Sequence, residues 1–297
     1  MRLTGVHAAL IAAYDDDGGL SLERQAGLID HILGQGVDGI FVSGSTGEAH
    51  LQSLAERKET IGAAIEQVGG RGPVIAHTGS LDTRTSIALT EHAVAAGADA
   101  ISAVTPIYYH YDDGQYEAFF RDVSAAAGQT PLIAYHIPGR SHAQLSPDFF
   151  LRLADDGVLQ GLKYTATDLY PLAEVVRRAP EDFIVYNGSD EVLLGGLALG
   201  AHGGIGSTYN AVGWVYRRIL DLFAAGEIDA ARRAQDVANW FINEMNNYDF
   251  LLFLRQALRR DGVETGHGRA PLPTISADQQ HSITDILSTL SSKEPQR

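Results

Sequence analysis

Eight short apolar runs, spaced along the chain with helix-like segments between them, constrain the fold more than any other feature. They are GVHAALIA from Gly5, DGIFVS from Asp38, PVIAHT from Pro73, DAISAV from Asp99, PLIAYH from Pro131, LQGLK from Leu159, DFIVYN from Asp182 and HGGIGS from His202. Each is continuous rather than alternating, the pattern of a strand covered on both faces. The intervening segments carry helix signals. Ser53 to Glu56 is a capping-box pattern opening an amphipathic stretch to about Val68. Ser146-Pro147 reads as an N-cap followed by proline at the first helical position. Gly36, Gly97, Gly157 and Gly200 stand where helices should stop before the next strand.

Eight strands alternating with eight helices predict an α/β fold, the (β/α)8 or TIM barrel, which typically takes about 250 residues. A doubly wound open sheet is the rival, because local pattern does not decide closure; the even spacing of eight units favours the barrel. Residues 1–225 are assigned to the barrel. Residues 226–297 are assigned to a C-terminal helical extension of the same domain, with a helical run from Ile228 to Arg260, a Gly/Pro-rich link at Gly262–Pro273 and a last helix from Ser276.

The 297 residues carry a formal net charge of −15, and a chain this acidic lacks the basic footprint that nucleic acids and anionic membranes require. There is no cysteine, which excludes disulfides, thiolate nucleophiles, Fe–S clusters and Cys-ligated zinc. Val6 to Tyr14 is apolar and follows Arg2, loosely like a signal peptide, but it ends in Asp15-Asp16-Asp17-Gly18 rather than a cleavage site. No stretch approaches the ~20 apolar residues of a membrane span. A cytoplasmic protein with a buried first strand is expected.

In a barrel, chemistry belongs at the C-terminal ends of the strands. Those ends read Gly44-Ser45-Thr46-Gly47-Glu48, His77-Thr78, Thr105-Pro106-Ile107-Tyr108-Tyr109, Tyr135-His136 with Arg140 nearby, Lys163-Tyr164-Thr165, Asn187-Gly188-Ser189-Asp190-Glu191 and Gly206-Ser207-Thr208. Turn residues explain the glycines and some serines. They do not explain a lysine ending a buried strand. Only three lysines occur, Lys58, Lys163 and Lys293; the rest of the 22 basic residues are arginine. Arginine stays protonated, whereas a partly buried lysine can lose its proton and attack a carbonyl. Lys163 therefore reads either as a Schiff-base nucleophile or as a structural ion pair or snorkelling side chain. Tyr135, on the neighbouring strand end, is a proton relay or an ordinary rim tyrosine.

Ser45 and Thr46 sit in a glycine-bounded loop that offers hydroxyls and N–H groups to a carboxylate. The loop lacks the Gly-Lys of a nucleotide-binding P-loop. Asp190 and Glu191 would repel an anion but suit the hydroxyls of a polyol. The eleven histidines include no His-Glu-x-x-His, and His136 to His142 is not a helical ligand spacing, so no metal site is expected.

The stretches GSTGEAHLQSLAER at Gly44, SAVTPIYY at Ser102, YHIPGRS at Tyr135, GLKYTATDLY at Gly161, YNGSDE at Tyr186 and GGIGSTYNAVGW at Gly203 carry a resemblance. Over nearly its full length the chain resembles the dihydrodipicolinate synthase/N-acetylneuraminate lyase family of class I aldolases, and its wording is nearest the lyase branch. The resemblance implies Lys163 as the Schiff-base lysine and Tyr135 as the proton-relay phenol. Ser45 and Thr46 would hold the carboxylate of the pyruvate portion, and Thr165 would lie near the hydroxyl at the bond being broken. Gly188, Asp190, Glu191 and Ser207 would contact the sugar chain. Tyr109 would reach a neighbouring subunit's site in a homotetramer. Two positions depart from the lyase pattern. Arg140 stands where the synthase branch binds a second carboxylate, and His136 replaces an asparagine common to both branches.

The expectation is a pyruvate-dependent lyase that cleaves a 2-keto sugar acid, N-acetylneuraminate, to pyruvate and N-acetylmannosamine, with no metal or organic cofactor. The alternatives are a 4-hydroxy-tetrahydrodipicolinate synthase or a 2-keto-3-deoxy sugar-acid aldolase or dehydratase. More distant ones are a metal-dependent barrel hydrolase and a non-catalytic sugar-acid binder.

Overall fold

The computed structural model describes residues 3–290. Eight parallel strands, β1 (Gly5–Ala9), β2 (Gly39–Val42), β3 (Val74–His77), β4 (Ala100–Val104), β5 (Leu132–His136), β6 (Gly161–Tyr164), β7 (Ile184–Asn187) and β8 (Gly203–Gly206), lie in chain order. β8 pairs back onto β1, so the sheet closes. Closure decides against the open doubly wound sheet. At that seam Gly203 is obligatory: a Cβ there would lie 1.8 Å from the carbonyl oxygen of Gly5.

The barrel is wrapped by α1 (Leu22–Gly34), α2 (Leu54–Val68), α3 (Thr83–Ala96), α4 (Asp113–Ala127), the short α5 (Pro138–Ser141), α6 (Pro147–Asp155), α7 (Tyr170–Arg178), α8 (Leu193–Ala198) and α9 (Tyr209–Ala224). The expected helix signals form. Ser53 closes a capping box with Glu56, and Ser146 accepts from the Phe149 N–H ahead of Pro147. Gly97 caps α3 with a left-handed backbone, φ +92°. Two 3-10 turns, Ala49–Leu51 and Asp190–Val192, and the α5 turn add local structure that periodicity did not show.

The C-terminal region is α10 (Ile228–Met245), α11 (Phe250–Arg260) and α12 (Ala277–Ser288). The single run expected from Ile228 to Arg260 is broken after Met245. Asn246 ends α10, and the Asp249 carboxylate accepts the N–H groups of Leu251 and Leu252, both at 3.1 Å, to start α11. Asn and Asp side chains compete for backbone partners in this way, which apolar periodicity does not register. Ser276 caps α12 in a capping box with Gln279. Residues 291–297, the end of the expected extension, lie outside the described residues. No helix among the described residues is long and apolar enough to cross a membrane.

Alternation along each strand divides the core. Phe41, Ile75, Val104, Ile133, Tyr135, Tyr186 and Ile205 fill the barrel interior. Val6, Ile40, Ala76, Leu132, Leu162 and Val185 face the helices. Fully burying a large side chain of this kind contributes about 1.5–3 kcal/mol. The same alternation sends Leu162 and Tyr164 outward, leaving Gly161 and Lys163 on the inner face.

Candidate active site

Lys163 sits at the upper inner face of β6, in register with Tyr135 of β5 on one side and Tyr186 of β7 on the other. Both Lys163 and Tyr135 are buried. The Lys163 Nζ lies 4.1 Å from the centre of the Tyr135 ring and 4.4 Å from that of Phe41. Among the described residues, no hydrogen bond or ion pair engages Nζ. This geometry removes the structural ion pair and the snorkelling side chain from the readings of Lys163. The amine is inside the barrel, walled by aromatic faces that favour a cation above them. The Tyr135 ring is itself held edge-on between Phe41 and His77, at 5.8 Å from each.

A cavity of about 590 Å³ opens above this pair. Ser45, Thr46, Tyr135, Arg140, Lys163, Thr165, Gly188, Asp190, Glu191 and Ser207 all line it, so tertiary structure gathers ten of the eleven expected site residues at one mouth. Tyr109 is the exception. It is 68% exposed and borders a separate cavity of about 430 Å³ with Leu81, Tyr111 and Tyr116.

The Ser45-Thr46 loop joins β2 to the first 3-10 turn. Thr46 Oγ1 lies 2.7 Å from Ser207 Oγ, so hydroxyls from opposite sides of the β1 strand meet at the floor of the cavity. Thr165 donates its N–H to the His136 carbonyl at 2.9 Å, while its buried hydroxyl has no protein partner. Gly188 makes room for that hydroxyl: a Cβ at Gly188 would lie 2.0 Å from Thr165 Oγ1.

Asp190 and Glu191 share a turn but not an environment. Asp190 Oδ2 accepts the Thr208 N–H at 2.9 Å and the Thr208 hydroxyl at 2.6 Å, and the Tyr216 hydroxyl lies 2.6 Å from the same Thr208 oxygen. Burial pushes the Asp190 carboxyl up to about 6, against the Thr208 hydrogen bonds that pull it down. The Asp190 carboxylate thus braces the turn after β8 next to Ser207. Glu191 lines the cavity half-buried and has no ion pair among the described residues.

Arg140, at the end of α5, is exposed on the rim with its guanidinium 5.9 Å from the Phe250 ring centre, and no carboxylate pairs with it among the described residues. His136 faces the other way. Its ring packs between Phe150 and Tyr164 on the helix side of the barrel, and burial lowers the imidazole to about 4.

Sequence reasoning missed much of the wall. Ile242, Met245, Asn246, Phe250 and Leu251 come from the C-terminal helices, and Pro271 and Leu272 from the link after α11. An apolar helix face gives the same signal whether it packs on a core or lines a cavity. Ile107 was within reach in a strand-end segment already singled out, and His50 in the GSTGEAHLQSLAER stretch. Among the described residues, no group of three or more His, Asp or Glu side chains is arranged to hold a metal ion.

Comparison with known proteins agrees with the fold and the motifs. The model of the dihydrodipicolinate synthetase family matches residues 2–290. A relative from Rhizobium meliloti (strain 1021) named N-acetylneuraminate lyase is 36% identical over 275 residues, 93% of this chain and 91% of the relative. The solved structure of CdNal from Clostridium difficile in complex with mannosamine has a TM-score of 0.94 at 29% identity, covering 98% of this chain and 100% of that one. A catalytic lysine mutant of Ruminococcus gnavus sialic acid aldolase has the same TM-score and identity, covering 98% and 96%. The chain therefore belongs to the dihydrodipicolinate synthetase family and is an aldolase-type enzyme of it.

Proposed function

We propose that the protein cleaves a 2-keto sugar acid by retro-aldol chemistry on Lys163, with N-acetylneuraminate as substrate and pyruvate and N-acetylmannosamine as products. The observation that carries this reading is the Lys163 amine, buried in the barrel against two aromatic faces with no protein partner and open to a cavity of about 590 Å³.

In this mechanism the neutral amine of Lys163 adds to the C2 ketone of the open-chain sugar, and loss of water gives an iminium. The Tyr135 and Phe41 faces that flank Nζ would stabilise that cation as they do an ammonium. The iminium accepts the electron pair of the C3–C4 bond as the C4 hydroxyl gives up its proton. The Tyr135 hydroxyl relays that proton, accepting it directly or through the substrate carboxylate as it passes its own on to solvent, and the C4 carbon leaves as an aldehyde. The enamine left on Lys163 is then protonated at C3 and hydrolysed, which restores the amine and releases pyruvate. The lysine supplies the electron sink that a metal or organic cofactor would otherwise provide.

The remaining residues divide between the two halves of the substrate. Ser45 and Thr46 hold the carboxylate beside C2. The Thr165 hydroxyl, buried at the cavity without a protein partner, bonds the C4 oxygen in this reading. Glu191, Ser207 and the Gly188 backbone meet the hydroxyl chain, and Asp190 contributes by bracing the Ser207-Thr208 turn. Four copies of the chain would assemble, with Tyr109 reaching a neighbour's cavity; its exposure of 68% on the single chain accords with that role.

Arg140 favours a second reading. An unpaired guanidinium on the rim suits an aldehyde partner that carries its own carboxylate, as in 4-hydroxy-tetrahydrodipicolinate synthesis. Borohydride reduction with pyruvate, followed by mass analysis, tests the shared step: a pyruvate adduct is expected on the peptide containing Lys163 and absent from Lys163→Ala. An intact, folded chain that gains no adduct sinks the mechanism. A panel of N-acetylneuraminate, 2-keto-3-deoxy sugar acids, and pyruvate with aspartate semialdehyde then separates the readings. Release of N-acetylmannosamine supports the first.

A further inference from the structure

Two non-glycine residues with left-handed backbone bracket the Ser45-Thr46 loop: Ser43 at φ +61° and Glu48 at φ +54°. Each such residue costs of the order of 1–3 kcal/mol and persists only where its surroundings over-determine it. Both are held by buried arginines, and the two arginines differ in one respect. Arg255 of α11 places Nη2 2.5 Å from the Glu48 carboxylate, so its charge is cancelled, while the other Glu48 oxygen accepts the Arg269 N–H at 3.0 Å. Arg57 of α2 has no carboxylate within ion-pair distance among the described residues.

All of the hydrogen bonds of Arg57 go to neutral acceptors. Its Nε donates to Ser43 Oγ at 3.0 Å, Nη1 to the Gly79 carbonyl at 3.0 Å, and Nη2 to the His77 carbonyl at 2.9 Å. His77 completes the arrangement. Its Nδ1 lies 2.9 Å from the Ser43 carbonyl and its Nε2 accepts the Val104 N–H at 3.2 Å. That pattern requires the neutral imidazole with its proton on Nδ1, and burial holds the ring well below the usual histidine range. The ends of β2, β3 and β4 are thereby tied together behind the loop. Arg57 is 2% exposed, and a buried guanidinium without a counter-charge is costly unless something compensates it.

We propose that Arg57 is a positioning residue for the substrate carboxylate: its fork holds Ser43, and through it the Ser45-Thr46 loop, in the left-handed geometry, and its uncancelled charge lies behind the loop that receives the anion. This rests on the reading of Ser45 and Thr46 as the carboxylate subsite. Arginine is needed rather than lysine because the acceptors lie in three directions, which a planar fork meets and a single ammonium does not.

The test is the pyruvate dependence of borohydride trapping on Lys163, followed by intact mass, in the wild type, Arg57→Lys, and Arg57→Lys combined with Ser43→Gly. The half-saturating pyruvate concentration is expected to rise about tenfold in Arg57→Lys, the size of losing a hydrogen bond to a charged group. The limiting trapping rate should stay within threefold of wild type. Glycine adopts φ near +60° without restraint, so the double variant should recover at least threefold of the loss. A half-saturation within twofold of wild type, or a fall in limiting rate alone, overturns the proposal and leaves the Schiff-base mechanism standing. No adduct on the wild type overturns both. If Arg57→Lys does not fold by circular dichroism, Ser43→Ala, which removes only the Oγ acceptor, decides. A half-saturation about threefold higher supports the proposal, on the weaker scale of a neutral hydrogen bond, and an unchanged one overturns it.

Discussion

Lys163 and Tyr135 face each other across the β5–β6 pair, in direct register, with the amine 4.1 Å from the centre of the phenol ring. One consequence is that the ring and the hydroxyl of Tyr135 have separable duties. The ring walls the amine, and the hydroxyl moves the proton.

Tyr135→Phe keeps the ring and deletes the hydroxyl. Turnover of the sugar acid is expected to fall by roughly 10²–10⁴, the usual contribution of a positioned acid–base group. KM should change by only a few fold, because the aromatic wall remains. Steady-state kinetics with the sugar acid checks this, and a loss of less than tenfold in kcat removes Tyr135 from the proton relay.

Gly188→Ala would place a methyl 2.0 Å from Thr165 Oγ1 and 3.0 Å from the Tyr164 carbonyl. The Thr165 side chain has to move. Sugar-acid cleavage is expected to drop by roughly tenfold or more, the size of one well-made hydrogen bond. Pyruvate trapping on Lys163 should survive, since the Ser45-Thr46 loop lies on another element. Measuring both activities on one preparation tests the division of the cavity; an equal loss of the two would show that the sugar and pyruvate subsites are not separable at Thr165.

Stability should depend on pH through two buried groups that act in opposite directions. The Asp190 carboxyl is raised by burial to about 6, so the folded state holds its proton more tightly than the unfolded chain. Its contribution therefore falls as pH rises from about 4 to about 6. The His136 imidazole is lowered by burial to about 4, so the unfolded state binds the proton first. Its contribution is present above about 6.5 and is lost as pH falls towards 4. Denaturant unfolding across pH 4–7 should show Asp190→Asn removing the term that favours acid and His136→Asn removing the one that opposes it. Slopes that both variants leave unchanged would contradict the assignment.

The barrel was legible because a strand covered on both faces must be apolar along its length, and eight such runs with capped helices between them leave few architectures. Lys163 stood out for the same reason: a charged residue inside a buried run calls for an explanation. Closure itself was not legible, since the β8–β1 seam joins Gly203 to Gly5 across almost the entire barrel sequence. The break between α10 and α11 was hidden by apolar periodicity that continues on both sides of Asp249.

The amino-acid sequence by itself determined the strand ends and hence which polar side chains could share a mouth, because alternation and strand termination are local properties. Tertiary structure alone decided what those side chains do beside one another. It packed the His136 ring against Phe150 of α6 and bound the Asp190 carboxylate to Thr208. It also brought Phe250 and Met245 over the cavity and joined Glu48 to Arg255, 207 positions away. Contacts of that kind depend on how distant segments pack, and a buried ion pair or cavity wall leaves no periodic trace in either partner.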